Sequence, residues 1–388
     1  MSIIANGIWV TMVHPPPTSD YAWYAGAATR MSHGLGYVGS NGQPTAYWPV
    51  GWPFVLSVLF RLTGPSVAAG LTLQVVITAA TSVLIALFAR HITRSNKAAL
   101  TAGVAYSLLP EVWAWNSQLG TEQLFTLLTL GMLYSLARAS SWRGYAVAGA
   151  FAGSACLVRP TLLLFPLVLL GIEFIRQRRR RASIGRVAVF VAGMVLVVAP
   201  WTIRNAVVFE SFVPVSTNGG VNLYQGTRTT DGYWWSNDPN HNPLLHASSE
   251  VERDRLGVHL ALRYWAHHPQ RFVADIPPRL KALYSGNDIA FRWLHGAGGW
   301  SIQRYHTWRS IADVAYWVFM AVAFIGVIRA WQNRRHSVWL LGCFVLFYSA
   351  LWMFFPVWDR FRFPLMPVFA IWIGGVFSVS RLSNPQNT

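Results

Sequence analysis

Long apolar stretches separated by polar connections dominate the pattern of this chain. Eight stretches approach the length of a bilayer crossing, and a shorter one lies at 143–158; the eight are 67–90, 98–115, 121–138, 161–176, 187–204, 311–330, 336–355 and 364–380. Several fall below the roughly 20 residues that a spanning helix needs, which indicates a thin or locally pinched bilayer. The pattern predicts an all-α polytopic membrane protein with about nine to ten transmembrane helices.

Basic residues at the ends of these stretches predict the orientation. They fall on alternate connections and comprise Arg90, Arg94, Lys97, Arg138, Arg143, Arg176, Arg178, Arg179, Arg180, Arg181, Arg186, Arg329, Arg334, Arg335 and Arg381. Because cytoplasmic loops carry the excess of Lys and Arg, these connections are predicted to be cytoplasmic. The outer side then receives 14–66, 116–120, 159–160, 205–310 and 356–363. The stretch 50–63 becomes a surface helix, since counting it as a crossing would invert every later basic loop.

The same pattern predicts the domain organisation. Residues 1–66 form a partial first span and a first extracytoplasmic loop with surface helices, and 67–204 form membrane helices. An extracytoplasmic loop domain at 205–310, with an amphipathic stretch at 250–268, precedes C-terminal membrane helices at 311–380 and a cytoplasmic tail at 381–388. The N-terminal SIIANGIWVTMV is too short to cross, so it is either a truncated span or a surface helix.

Composition agrees with a membrane protein and excludes other classes. Hydrophobic residues make up 53% of the 388 residues, charged residues 12%, and the mean hydropathy is +0.35. The net charge of +17 does not indicate nucleic acid, because the arginines lie at the ends of apolar stretches rather than on one basic face. Cys156 and Cys343 lie inside apolar stretches and are interpreted as packing residues without a disulfide framework.

Two carboxylates at predicted outer positions are candidates for catalysis. Asp20 follows the helix-stopping run PPPTS, and Glu122 begins the apolar stretch at 121–138. Each has a structural alternative, as an N-cap for Asp20 and as a partner of the helix dipole for Glu122. The functional hypothesis makes Asp20 a general base for an acceptor hydroxyl. The two carboxylates could also hold a divalent cation together.

Four arginines lie at predicted outer ends of spans, against the orientation rule. They are Arg159, Arg204, Arg360 and Arg362. One such arginine is explained by snorkelling to the interface. Four together indicate an anionic ligand at the membrane surface, and a lipid phosphate suits the planar guanidinium, which donates two charge-assisted hydrogen bonds at once.

Neutral side chains near these charges are candidate substrate contacts. The segment PVSTNGGVNLYQG supplies Asn218, Asn222 and Tyr224, and the first outer loop supplies Tyr24 and Tyr47. The Asn-Gly-Gly sequence predicts a turn with positive backbone dihedral angles, which is also the ordinary structural interpretation. The histidines between 241 and 306 lack a spacing typical of metal ligands, and neither HEXXH nor CxxC occurs.

Taken in order, these motifs resemble a known superfamily. They are similar to the motifs of integral-membrane glycosyltransferases that use polyprenyl-phosphate sugars. The motifs are the acidic loop SDYAWYAG, PTAY, VGWP, the Glu-led span, the Arg-Pro turn at 159–160, the WTIRN exit, STNGGVNLYQG and RFRFP. Protein O-mannosyltransferases, aminoarabinose transferases and their bacterial relatives belong to this superfamily. The resemblance implies that Asp20 is the loop carboxylate of that family and Glu122 its acidic helix start. VGWP stands where relatives tend to have Pro-Gly-Tyr-Pro.

The resemblance sets the functional hypothesis. It implies transfer of a sugar from a polyprenyl-phosphate donor to a glycan, lipid or protein acceptor, with inversion, on the extracytoplasmic side of a bacterial inner membrane. Partners would be the donor, the acceptor and the bilayer, without nucleic acid. The alternative is a transporter or flippase of a lipid-linked or small anionic solute. Against it stand the lack of repeated halves and of matching broken spans.

Overall fold

The computed structural model describes residues 1–176, 180–230, 232–332 and 336–377. Within these residues the regular elements are helices, and the only β-type pairing is one isolated bridge between Val38 and Pro44. The predicted all-α class is confirmed for this part of the chain. Of the basic residues used above for orientation, Arg178, Arg179, Arg334, Arg335 and Arg381 lie outside the described residues.

The helices follow the apolar pattern closely along the chain. The first two thirds contain α1 (Ser2–Met12), α2 (Ser19–Ser32), α3 (Gly51–Thr63), α4 (Val67–Thr93), α5 (Asn96–Ser107), α6 (Pro110–Asn116), α7 (Glu122–Arg138), α8 (Trp142–Val158), α9 (Phe165–Arg176), α10 (Arg180–Phe209), α11 (Gly219–Gln225) and α12 (Glu250–His267). The remainder contains α13 (Pro269–Tyr284), α14 (Ile289–Gly296), α15 (Ile302–Gln332), α16 (His336–Leu351) and α17 (Met366–Val376). Short 3-10 turns lie at Pro160–Leu162, Pro243–His246, Trp352–Phe354 and Asp359–Leu365.

Three of the described helices are long and apolar enough to cross a membrane. These are α4, α10 and α15. The other apolar helices are shorter, so the number of crossings stays a prediction. Residues 50–63, predicted as a surface helix, form the 13-residue helix α3.

The predicted span 98–115 is wrong as a single helix. Helix α5 ends at Ser107, Leu109 is extended, and α6 begins at Pro110. Proline has no backbone N–H to donate and is disfavoured inside a helix, whereas it is well suited to the first turn of a new one. The break places the short helix α6, with Glu111 and Trp115, beside the start of α7.

Glycines allow close packing between helices α8 and α10. A Cβ added to Gly149 of α8 would overlap the carbonyl oxygen of Phe190 in α10, and one added to Gly193 would overlap the carbonyl oxygen of Ala146. Small residues at such an interface let two helix backbones approach closely, which is a common way for membrane helices to associate. This packing fixes the position of α8, which leads into Arg159, against α10, which contains Arg204.

The long segment between α10 and α15 packs onto the loop between α2 and α3. Helix α12 covers the amphipathic stretch predicted at 250–268. Its Glu250 carboxylate accepts hydrogen bonds from the Thr45 hydroxyl (2.8 Å) and the Ala46 backbone N–H (2.6 Å). These bonds join helix α12 to the loop between α2 and α3.

Candidate active site

Two carboxylates and two arginines from four separate segments meet at one place. Asp20 lies in the first turn of α2, Glu122 at the start of α7, Arg159 directly after α8, and Arg360 in the 3-10 turn before α17. Arg360 pairs with both carboxylates, and Arg159 pairs with Glu122. We refer to these four residues as the carboxylate–arginine cluster. It unites both predicted carboxylates with two of the four predicted arginines.

Glu122 is the buried centre of this cluster. Its side chain is fully buried, and its Oε1 accepts hydrogen bonds from Arg360 Nε and Arg159 Nη2. Arg159 also donates from Nε to the Thr121 hydroxyl at 2.7 Å. A buried carboxylate is costly unless it is paired, and two guanidinium groups meet that requirement here. Glu122 is therefore held in place as an anchor of the arginines, while its Oε2 has no hydrogen-bond partner among the described residues.

Arg360 is the cation that joins the two carboxylates. Its guanidinium lies over the rings of Tyr21 (5.3 Å to the centroid) and Trp115 (5.8 Å), and only 5% of the residue is exposed. Burial acts to lower the pKa of Arg360, but Glu122 and the other nearby anionic groups offset this and hold it well above its ordinary value. Arg360 therefore stays charged while enclosed by protein.

Asp20 is the accessible member of the cluster. Its side chain is 30% exposed, and its Oδ2 lies 3.6 Å from Arg360 Nη1. The N-cap interpretation is wrong, because Thr18 occupies the N-cap position of α2 and no side chain forms a capping hydrogen bond there. Asp20 thus has one loose ionic contact and an open side, which is the environment that a general base requires.

Tyr24 lies one helical turn after Asp20, on the same side of α2, and is buried. Burial raises the pKa of its hydroxyl, and the Asp20 charge raises that pKa further. Tyr24 therefore remains a protonated hydrogen-bond donor at neutral pH. Its predicted role as a substrate contact stays a prediction.

The cluster does not fit a divalent cation shared by the two carboxylates. Arg360 lies between Asp20 and Glu122 and contacts both, so a metal ion would have to displace it. Within the described residues no group of three or more His, Cys, Asp or Glu lies together in a way that could hold a metal ion.

The structure places the other two predicted arginines outside the cluster. Arg204 donates to the carbonyl oxygens of Thr45 (3.0 Å) and Tyr37 (3.1 Å), and so ties α10 to the first outer loop. Arg362 is fully buried and pairs with Glu111 at 3.1 Å. Its guanidinium also donates to the carbonyl oxygens of Ser285 and Gly286, both at 2.8 Å. Protein groups engage both arginines, so their positions indicate structural roles rather than contact with a ligand.

The Asn-Gly-Gly segment differs from its predicted conformation. Gly219 and Gly220 begin helix α11, and neither has a positive φ. The physical need for glycine at 220 is close approach, because a Cβ there would overlap the carbonyl oxygen of Asp254 in α12. The Gly220 N–H donates to the Asp254 carboxylate at 2.6 Å. The two glycines therefore join α11 to α12.

Of the three side chains in this segment that were predicted to contact a sugar, two are buried and one is partly exposed. Tyr224 is buried, and its hydroxyl accepts hydrogen bonds from Arg228. Asn218 is buried and accepts from the Ser216 hydroxyl at 3.0 Å, whereas Asn222 is only partly buried. Of these three, Asn222 retains the most accessible side chain for a substrate.

Tyr47 packs on Trp48, with 5.1 Å between the ring centroids, and Trp48 packs on Tyr24 at 5.9 Å. Burial raises the pKa of the Tyr47 hydroxyl most, and Tyr233 and Asp20 raise it further while Arg253 lowers it. The pKa of Tyr233 is also raised, first by partial burial of its hydroxyl and second by the charge of Asp20. Through Trp48, Tyr47 is thus connected to the helix that carries Asp20, and its role as a substrate contact stays a prediction. Sequence reasoning did not select Tyr233 or Arg253.

Sequence reasoning also missed the aromatic residues that enclose Arg360. Tyr21 directly follows Asp20, and Trp115 lies in the PEVWAWN segment after the Pro110 break. The adjacency of Tyr21 to the candidate base was a usable signal. Nothing local in the sequence indicates Trp115 or Glu250, because their roles depend on contacts with segments far away in the chain.

Comparison with known proteins supports the resemblance. Residues 48–203 match the family model described as dolichyl-phosphate-mannose-protein mannosyltransferase. This range includes Glu122 and Arg159 of the cluster. The resemblance to polyprenyl-phosphate-dependent membrane glycosyltransferases, indicated by the motifs, is thereby confirmed. A search of the curated proteins found no match.

A search of solved structures found similar chains at low sequence identity, and the AglB structure shares the fold of this chain. The archaeal oligosaccharyltransferase AglB from Archaeoglobus fulgidus, in complex with an inhibitory peptide and a dolichol-phosphate, is 14% identical, with a TM-score of 0.56 over 97% of this chain and 50% of that one. ArnT from Cupriavidus metallidurans, bound to undecaprenyl phosphate, is 14% identical, with a TM-score of 0.47 over 91% of this chain and 75% of that one. This chain therefore spans about half the length of the AglB chain whose fold it shares.

Proposed function

We propose that this chain is an integral-membrane glycosyltransferase that moves a sugar from a polyprenyl-phosphate donor to an acceptor at the outer face of the membrane. The observation that carries the proposal is the bridge that Arg360 makes between buried Glu122 and half-exposed Asp20. The family match over residues 48–203 supports a lipid-linked donor. Three long apolar helices support insertion in a membrane.

The chemistry follows from the different surroundings of the four charged groups. Asp20 accepts the proton of the acceptor hydroxyl while the hydroxyl oxygen attacks the anomeric carbon of the donor sugar. The bond between that carbon and the phosphate oxygen breaks, and its electron pair leaves on the phosphate. Attack opposite to the leaving group inverts the anomeric configuration. Arg360 and Arg159 stabilise the charge on the departing phosphate, and Glu122 holds both guanidinium groups in place.

A transfer assay tests this function against transport. Purified protein is incubated with polyprenyl-phosphate sugars of different head groups, and loss of the lipid-linked sugar is followed with and without glycan, lipid and protein acceptors. A transferase consumes at least one donor and releases polyprenyl phosphate. Asp20→Asn removes the candidate base and should lower consumption. Its matched control is Asp238→Asn, the same chemical change at an exposed carboxylate outside the cluster, which should leave consumption unchanged. Movement of the donor across vesicles without its consumption would favour the transporter instead.

A further inference from the structure

Arg253 of helix α12 is a cation that no described residue neutralises. Its Nε is buried without a hydrogen-bond partner, and neither a hydrogen bond nor an ion pair joins its guanidinium to the described part of the chain. Every other arginine of the candidate site contacts a carboxylate or a carbonyl oxygen. Leaving a buried donor without a partner is destabilising, so its retention calls for an explanation.

The packed face of α12 explains where this arginine lies. Glu250, Arg253, Asp254 and Gly257 recur at helical spacing and therefore share one side of the helix. That side contacts the first outer loop through Glu250 and α11 through Asp254 and Gly257. Arg253 is thus held within an interface, unlike the neighbouring Arg255, whose side chain is exposed.

The two nearest carboxylates of that face are committed to backbone amides. Glu250 accepts from the Ala46 N–H at 2.6 Å, and Asp254 accepts from the Gly220 N–H at 2.6 Å. Both bonds join separate segments, so turning either carboxylate towards Arg253 would release a loop.

Glu250, one turn before Arg253, contacts Thr45 and Ala46. The next residue, Tyr47, packs on Trp48 (5.1 Å between ring centroids), and Trp48 packs on Tyr24 (5.9 Å), one turn after the partly exposed Asp20. The fold therefore leaves the positive charge of Arg253 available near the aromatic residues that lead to Asp20.

The carboxylate–arginine cluster itself carries no surplus positive charge. Two guanidinium groups, Arg159 and Arg360, are balanced by two carboxylates, Glu122 and Asp20. An anionic substrate that enters from the outer side thus meets a neutral cluster, whereas Arg253 is a cation that carries no ion pair within the described residues. A guanidinium matches an oxyanion because its planar fork donates two parallel hydrogen bonds.

We propose that Arg253 binds an oxyanion of the substrate at the outer entrance of the carboxylate–arginine cluster. The oxyanion is the phosphate of the lipid donor or a phosphate or carboxylate on the acceptor, and the two sources share the same chemistry. The proposal rests on the proposed function for the identity of the substrate, but not for the existence of the anion site. It makes Arg253 a substrate-binding residue contributed by the outer segment.

The test measures binding rather than turnover, in full-length protein with wild-type residues, Arg253→Gln, Arg253→Lys or Arg255→Gln. The first probe is polyprenyl phosphate in detergent, with the corresponding polyprenol as the uncharged reference. The second probe is inorganic phosphate, read by its protection of the protein against thermal unfolding. Loss of a charge-assisted contact should weaken the affected probe about 10- to 100-fold in Arg253→Gln. Arg253→Lys should be intermediate, and Arg255→Gln should match wild type.

Each pattern of results decides one point. Weakened polyprenyl phosphate binding with unchanged polyprenol binding assigns the site to the donor. Weakened phosphate protection with unchanged polyprenyl phosphate binding assigns it to the acceptor. If wild type binds no polyprenyl phosphate yet loses phosphate protection in Arg253→Gln, the proposed function fails and the anion site stands. Unchanged binding of both probes in a folded Arg253→Gln protein overturns the proposal, as does an equal loss in Arg255→Gln.

Discussion

Asp20 and Glu122 divide two tasks because their surroundings differ. Glu122 is fully buried and shared by two guanidinium groups, so taking up a proton would release both arginines. Asp20 has one ionic contact at 3.6 Å and a side chain that is 30% exposed. A base must gain and lose a proton in each cycle without dismantling its site. Asp20 meets this condition, and Glu122 does not.

Removing the charge of Asp20 should abolish transfer while preserving donor binding. Asp20→Asn keeps the size of the side chain but cannot accept the acceptor proton, so turnover should fall by about 10²–10⁴-fold. Loss of the competing carboxylate also leaves Arg360 freer for the donor phosphate, so donor affinity should stay equal or increase. Single-turnover transfer and donor binding are measured on the same preparation. Near-normal turnover would exclude Asp20 as the base and redirect the search to Glu122.

Lysine substitutions should separate the two kinds of arginine. Arg360→Lys loses the fork that contacts Glu122 and reaches Asp20, so transfer should fall about tenfold or more. Arg204→Lys loses hydrogen bonds to loop carbonyls, so it should lower the temperature of unfolding and leave the donor KM unchanged. Arg304→Lys, at an exposed arginine, is the control for both. An equal rise in donor KM for Arg204→Lys would return Arg204 to the phosphate site.

For single residues, the sequence indicates which charged side chains belong to the site, but it does not indicate which partners they contact. Asp20, Glu122 and Arg159 can be selected because each stands at a predicted outer end of a span, where a charge needs a reason. The pairing of Arg360 rather than Arg362 with Glu122 cannot be predicted, since it depends on the rotation of the 3-10 turn Asp359–Leu365. The commitment of Arg362 to Glu111 is equally non-local.

At the scale of elements, close helix contacts hold the segments that carry the cluster. Helix α8 leads directly into Arg159, and its packing on α10 depends on Gly149 and Gly193. The separation of these two helices therefore affects the position of a cluster arginine. The break before Pro110 has a similar effect, because it brings Trp115 of α6 against Arg360.

Adding a methyl group at Gly149 should destabilise the protein and disturb the cluster. The new Cβ of Gly149→Ala would overlap the carbonyl oxygen of Phe190, and relieving such overpacking typically costs about 1–3 kcal/mol in the free energy of unfolding. Gly185→Ala, on α10, has no atom within 4 Å of the added Cβ. It should leave stability unchanged or raise it, because alanine favours a helix. Thermal unfolding in detergent measures both, and equal behaviour of the two variants would contradict the close packing.

The elements themselves were largely predictable, and their interruptions less so. The apolar stretches at 67–90, 121–138 and 143–158 correspond to α4, α7 and α8 within a few residues. The hydrophobic pattern alone predicted one continuous helix over 98–115, although Pro110 gives a local reason for that helix to end. The glycines of the Asn-Gly-Gly segment show the converse, since their need for space arises only once α11 meets α12.

At the scale of the whole molecule, the distribution of basic residues predicts the orientation of the chain across the membrane. The cluster lies where α2, α7, α8 and the 3-10 turn before α17 meet. In the predicted topology all four positions are outer ends, while the arginine-rich connections between α9 and α10 and between α15 and α16 lie on the other side. If one of these segments ended on the opposite side of the membrane, the four residues of the cluster could not meet.

Labelling from each side of intact cells should therefore place position 180 in the cytoplasm and position 240 outside. Single cysteines are introduced as Arg180→Cys and Asn240→Cys in a variant that lacks Cys156 and Cys343. Asn240 is exposed, so a membrane-impermeant reagent should label it in intact cells. Position 180 should react only after the cytoplasm is opened, because basic connections are retained inside. A variant without cysteines controls for background. Labelling of position 240 only after permeabilisation would reverse the topology and move the cluster to the cytoplasmic face.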